Sequence, residues 1–308
     1  MKRALFLTLS AAMLTTAVAV DIQGKEAPMP KMAKITPKIA KESHGRMSTA
    51  DHDAMHKAHT ERMAKILADP ARVEDAKRDQ YRHPAETFEF FRLHPDHVIG
   101  EYAPGGEWVS RILGRYVDDK GKYTGLFFGT KTYFDEATKT RIAAGMAKFP
   151  ADVAAVSDRS ATDFNAFSLS DVPEGSKGTF DRILVMRMMH NMINWNIADA
   201  EIKAMRDLLK DEGLLGIEQH RAKADAPYSY TDGSKGYMRE ADIIKFMEVN
   251  GFELVAKSEI NANPKDTANW PEGVWTLPPR LALKDVDKAK YEAIGESDRM
   301  TLLFKKRP

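Results

Sequence analysis

The chain has 308 residues, of which 43% are hydrophobic, and its formal net charge is +1. So even a balance leaves no global field to recruit nucleic acid or an anionic membrane, and the lack of cysteine excludes disulfides, thiolate metal centres and a cysteine nucleophile. The length exceeds the ~100–200 residues of a typical domain, which one domain with extensions accounts for.

Lys2 and Arg3 precede an apolar segment from Ala4 to about Val18, closed by Ala17-Val18-Ala19. This is the layout of a secretory signal over 1–19, with cleavage before Val20 and export to a bacterial periplasm. The apolar run is shorter than the ~20 residues a membrane-spanning helix needs, and no other stretch is long enough. Residues 20–47 carry prolines at 28, 30 and 37, and six lysines and arginines stand against two acids between 25 and 46. That composition reads as a disordered, solvated tether.

An N-terminal helical extension is expected over 48–94. Its first helix runs from Thr49 to Leu67, with Asp51 and Asp53 in the first turn where the helix dipole favours negative charge. Asp69 as N-cap and Pro70 as first helical residue predict a second helix to about Tyr81, and His83-Pro84 repeats the device for a third. In the first helix His52, His56 and His59 fall at i, i+4 and i+7, with Met47, Met55 and Met63 nearby. Imidazoles so spaced can bind zinc, copper or nickel, and plain solvent exposure is the competing reading.

The main domain is read over 95–308. Val98 through Trp108 reads as a buried strand, a glycine turn and a helix start, followed by Val109, Ile112, Leu113 and Tyr116 on one helical face. In open α/β sheets such a junction holds ligands, because helix N-termini offer unpaired N–H groups. A dinucleotide fingerprint wants glycine where Ala103 and Trp108 stand, which disfavours nicotinamide and flavin. Tyr123–Phe128 reads as a second strand and Phe134–Lys148 as a helix. Asn165–Leu169 is a candidate third strand, and Arg182–Met186 a fully buried fourth. A helix with Ile202, Met205 and Leu209 on one face is expected to stop before Gly213, with a fifth strand over Leu214–Glu218. Arg239–Asn250 reads as a helix ended by Gly251. Strands Phe252–Ser258 and Met300–Lys305 flank a proline-marked insert, 259–298. The alternation predicts an α/β fold, a doubly wound, mostly parallel sheet whose last strand, lacking a crossover helix, runs antiparallel.

Four stretches together carry a family likeness: Arg78 through Glu86, Glu101 through Trp108, Asp181 through Asn191, and Gly213 through Ala222. Over roughly residues 60–308 the chain resembles a class I S-adenosylmethionine-dependent methyltransferase, with its seven-stranded Rossmann-like sheet, and more closely an exported group known as predicted methyltransferases. The resemblance implies that Glu101, Ala103, Gly105 and Gly106 sit beside the amino and carboxylate groups of S-adenosylmethionine. Glu107, at the helix start, belongs to the same loop or caps the helix. The family's acid-x-Gly-x-Gly-x-Gly pattern is here Glu101-x-Ala103-x-Gly105-x-Glu107. The acid that the fold sets at the end of its second strand, for the ribose hydroxyls, is absent from Gly125–Thr130, and Asp135 or Glu136 is the nearest substitute.

By the same resemblance the carboxyl ends of the fourth and fifth strands face substrate. His190 and His220 are the candidate bases, since a neutral imidazole can take a proton from an attacking oxygen or nitrogen. Arg187 and Asn191 flank the first histidine. Arg221 suits an anionic substrate or the cofactor carboxylate. Tyr81, Arg82 and His83 form either a lid or a helix-terminating turn. Methionines 186, 188, 189 and 192 are read as core and pocket lining. The expected function is methyl transfer to a small molecule that the sequence does not name. The reading from another class is a catalytically inactive methyltransferase fold serving as a binding or scaffold protein, with or without metal on the N-terminal His/Met helix.

Overall fold

The computed structural model describes residues 49–104, 108–129 and 134–308; the signal and tether expected over 1–47 lie outside the described residues. Residues 47–308 form one compact unit. In chain order its elements are α1 (Thr49–Leu67), α2 (Val73–Ala76), α3 (Asp79–Arg82), α4 (Pro84–Phe90), β1 (Val98–Tyr102), α5 (Trp108–Tyr116), β2 (Lys122–Phe127), α6 (Glu136–Ala154) and β3 (Phe164–Ser168). They continue with β4 (Phe180–Met186), α7 (Met189–Asn194), α8 (Ala198–Leu208), β5 (Leu209–His220), α9 (Tyr228–Thr231), α10 (Glu240–Val249), β6 (Phe252–Ser258), α11 (Lys288–Ile294) and β7 (Arg299–Lys306).

The strands form a single doubly wound sheet in the order β3-β2-β1-β4-β5-β7-β6. The first five are parallel, and β7 inserts antiparallel between β5 and β6, as its missing crossover helix predicts. Alternation along the strands feeds two cores. Ile183, Val185, Ile217 and Leu302 pack under α7, α8 and α10, while Ile99, Tyr123, Leu184 and Leu303 pack under α1, α4, α5 and α6. The N-terminal helices share this second core, because Met63, Ile66 and Phe88 are buried in it. Among the described residues no helix is long and apolar enough to cross a membrane.

Three local expectations change. The helix expected over 70–81 is broken into a single 3-10 turn at Pro70–Arg72, then α2 and α3. Two ion pairs pull it apart: Asp79 turns back onto buried Arg72 at 2.9 Å, and Asp75 is drawn to Arg111 at 2.5 Å. The helix expected to stop at Lys148 runs on through Pro150 to Ala154, because Phe149 is buried against the rings of Tyr123 and Phe127, and Val153 is buried beyond it. Packing here outweighs the backbone bond that proline removes. Finally, Gly213 does not end α8. The helix stops at Leu208 and β5 starts at Leu209, with Gly213 inside the strand, where a Cβ would lie 2.9 Å from the Phe180 carbonyl oxygen.

Candidate functional site at the carboxyl edge of the sheet

The strand order reverses direction between β1 and β4, so helices leave these neighbours on opposite faces and open a crevice at their carboxyl ends. Both exits are sharp. Ala103 follows β1 with φ +53° and Arg187 follows β4 with φ +59°, each in the left-handed region that costs a residue with a Cβ. Ala103→Gly is therefore expected to raise stability by about 0.5–1 kcal/mol, read as a higher thermal midpoint; a lower one contradicts the strain.

Two consecutive residues of β1 carry polar groups to opposite faces. Glu101 is buried under α5, where its carboxylate accepts from Ser110 Oγ at 3.2 Å and from the Tyr123 hydroxyl. Burial pushes its carboxyl up to about 7 despite those two donors. Tyr102 points the other way, toward Glu201 of α8. Glu201 Oε1 accepts the Gly129 N–H at 2.8 Å, just past the end of β2, and a Cβ at Gly129 would lie 2.7 Å from that oxygen. The other oxygen, Oε2, and the Tyr102 hydroxyl are buried without an aligned hydrogen bond, although they are close enough for each to shift the other's ionisation. Burial pushes Glu201 up to about 7. The rings of Phe128, Phe134 and Trp195 pack edge to face beside Tyr102, with Phe128 and Trp195 centroids 5.1 Å apart.

Glu201 escapes a reading of motifs because its partner Gly129 is 72 residues away. One signal does mark it. Ala198, Ile202, Met205 and Leu208 make the buried stripe of α8, and Glu201 stands inside that stripe. Asp135 instead caps α6 by accepting from the Thr138 N–H at 2.7 Å, and exposed Glu136 pairs with Lys139. Gly105, Gly106 and Glu107 lie outside the described residues.

His190 and His220 do come together, with ring centroids 5.7 Å apart at the ends of β4 and β5. Trp275 of the insert stands 5.9 Å from His190 and Tyr237 6.3 Å from His220. The side-chain amide of Gln219 donates to the Gly236 carbonyl at 2.8 Å and holds the His190 ring through Nδ1, which lies 3.2 Å from its Nε2 and 3.4 Å from its Oε1. His220 Nδ1 shares a 2.6 Å hydrogen bond with Ser297 Oγ. Burial, reinforced by Arg187, pushes His190 down to about 4, and burial beside His190, Arg299 and Arg187 holds His220 well below its ordinary value. Neither histidine therefore titrates near ~6.5, the ordinary imidazole value that would suit a base at neutral pH. Because the folded pKa values are depressed, the stability these histidines contribute is complete above ~6.5 and is lost as the pH falls toward 4. We expect the thermal midpoint to drop across that window, with His190 alone accounting for about 3 kcal/mol, and a His190→Asn variant to fall less steeply. A flat profile from pH 7 to 4 contradicts this.

The arginines of the rim are all engaged by carboxylates. Arg187 binds Glu218 at 3.0 Å, and Arg221 reaches Asp298 at 3.0 Å, Glu259 at 2.6 Å and Glu240 at 3.4 Å. Arg221 is therefore held within the protein rather than presented to an anion. Arg82 is buried, 2.9 Å from Glu296, with its guanidinium 5.0 Å above Trp108, while Arg299 donates to the Tyr81 carbonyl. His83 is the left-handed residue joining α3 to α4, at φ +37°. Tyr81-Arg82-His83 thus forms a turn fastened to the start of β7. Asn191 donates to Met188 Sδ at 3.4 Å. The insert is itself fixed: buried Asp266 accepts from Tyr237, Trp270, and the Ala268 and Asp298 N–H groups at 2.7–2.9 Å. His56 and His59 lie away from this rim, near the opposite edge of the sheet, and the His52 side chain is outside the described residues.

No protein-family model and no curated protein matches the chain. Solved structures similar to it in fold include an S-adenosylmethionine-dependent methyltransferase from Aquifex aeolicus, at 15% identity over 64% of this chain and 92% of that one, TM-score 0.43. Geranyl diphosphate C-methyltransferase from Streptomyces coelicolor is 14% identical over 79% and 87%, TM-score 0.47. A TehB-like S-adenosylmethionine-dependent methyltransferase from Corynebacterium glutamicum is 11% identical over 78% and 100%, TM-score 0.41.

Proposed function

We propose that the chain is an exported S-adenosylmethionine-dependent methyltransferase acting on a small-molecule acceptor, with residues 1–19 as its signal. The observation that carries the reading is the crevice at the reversal between β1 and β4, whose polar groups lie where this sheet order receives a ligand. The residues present fit the cofactor. The Tyr102 hydroxyl and Glu201 Oε2, buried and facing each other without an aligned hydrogen bond, suit the hydroxyls of a ribose, so an acid from α8 takes the part of the one missing after β2. Phe128 and Trp195 give an apolar wall beside them. Ala103, with Gly105, Gly106 and Glu107 next in the sequence, would hold the methionine portion.

When bound, the cofactor supplies an electrophilic methyl group. The chain's own task is then to position the acceptor, exclude water and hold a proton. His190, held by the Gln219 amide, orients the acceptor atom, and His220, uncharged across the neutral range, receives its proton. Trp275 stands edge-on against His190. Hydrogen exchange with and without S-adenosylhomocysteine tests the location. We expect protection of peptides over 101–113 and 126–136 and none over 92–97 at the other edge. Protection confined elsewhere, or none at millimolar ligand, favours the inactive scaffold reading.

A further inference from the structure

Besides burial, the cations that hold the His190–His220 pair in its neutral form are Arg187, acting on both rings, and Arg299, acting on His220. Neither guanidinium is unpaired. Arg187 is bound to Glu218 at 3.0 Å, and buried Arg299 lies 3.0 Å from Glu218 and 2.9 Å from Glu296. Arg221, next along the chain from His220, is held by Asp298, Glu259 and Glu240. Rings stand against the pair: Trp275 at 67° to His190 and Tyr237 at 69° to His220. Trp275 is 37% exposed, and Arg187, Met188, Asn191 and His220 are partly exposed, so solvent reaches this wall. Backbone packing fixes it. A Cβ at Gly233 would lie 2.4 Å from the His190 carbonyl oxygen, and one at Gly236 would lie 2.4 Å from Val274. Val274 precedes Trp275 and donates its N–H to the Lys235 carbonyl at 2.9 Å.

We infer that this wall receives an uncharged aromatic hydroxyl compound, of the phenol class, with its ring against Trp275 and its hydroxyl at the histidine pair. That it is the methyl acceptor rests on the methyltransferase reading. The charges exclude the other common acceptors. An amine arrives as an ammonium at neutral pH, and Arg187 and Arg299 repel it while their carboxylates are already paired. A carboxylate or phosphate wants a guanidinium fork, and those at this rim are engaged. An aliphatic alcohol holds its proton too tightly for so weakly basic an imidazole, whereas a phenol, with a pKa near ~10, releases it far more readily. The arginine field that disfavours imidazolium also favours an oxyanion on the acceptor. Edge-to-face contact with Trp275 then selects an aromatic ring.

The probe is 4-nitrophenol, whose anion is coloured, with 4-nitrobenzylamine and 4-nitrobenzoate as its cationic and anionic counterparts. Absorbance titrated across the neutral range with the full chain reads binding and ionisation together, and the imidazole NMR signals of His190 and His220 locate the ligand. We expect saturable binding of the phenol, a pKa lowered by about one unit on binding, and shifts of both imidazole signals. The amine and the benzoate should bind at least tenfold more weakly. Trp275→Ala should weaken phenol binding about tenfold and Trp275→Phe restore most of it, with thermal melts reporting the fold of both variants. Unmoved histidine signals at millimolar phenol, tighter binding of either counterpart, or native affinity in Trp275→Ala overturns the assignment. S-Adenosylhomocysteine titrated in parallel separates the two claims. If it binds and the phenol does not, the acceptor class falls and the methyltransferase reading stands; the reverse leaves a phenol site without methyl transfer.

Discussion

Glu296→Ala is expected to destabilise the protein by about 3–5 kcal/mol, among the largest effects available to one substitution here. Glu296 is buried and answers three guanidinium groups: Arg78 at 2.7 Å, Arg82 at 2.9 Å and Arg299 at 2.9 Å. Arg299 is also in charge contact with Glu218 at 3.0 Å, without the alignment of a hydrogen bond, and Glu218 binds Arg187. Removing Glu296 leaves Arg82 and Arg299 buried with a deficit of negative charge, and neither can lose its proton to relieve it. Arg78, partly exposed, turns to water. The loss is expected to unfasten the Tyr81–His83 turn from β7, so urea unfolding should show a lower midpoint and proteolysis should open first near residue 82. A loss below 1 kcal/mol contradicts this account of the network.

Glu201→Ala is expected to weaken S-adenosylhomocysteine binding by roughly ten- to a hundredfold, the worth of a hydrogen bond to a charged group. It also frees the Gly129 N–H, so some stability is lost with it. Glu201→Gln separates the two effects. Its carbonyl can still accept from Gly129, so the fold should hold while affinity falls. If both variants bind as the native chain does, the ribose does not lie against α8.

The sheet was legible because its signals are local. Ile183, Leu184 and Val185 form an unbroken apolar run, as a strand buried on both faces must, and the proline-marked insert between β6 and β7, read without a crossover helix, announced the reversal. The limits of α1 and the cap at Asp69 followed from side chains a few residues apart. What escaped depends on distance in sequence. The tie of Arg78 and Arg82 to Glu296 spans more than 200 residues, and no pattern in the helix predicts it. The His190 ring is held by Gln219, itself tied to the Gly236 carbonyl, so composition named the histidine pair but not its anchorage. Gly213 misled for a related reason: read alone it is a helix stop, yet it serves a close approach to Phe180 in the neighbouring strand.

The most direct test of the central claim is calorimetric titration of the protein from Val20 onward with S-adenosylmethionine and S-adenosylhomocysteine. The account predicts saturable binding of both near one equivalent with micromolar Kd, weakened by Glu201→Gln. No heat and no thermal stabilisation up to millimolar ligand would contradict it, and would leave the crevice between β1 and β4 as a fold without its cofactor.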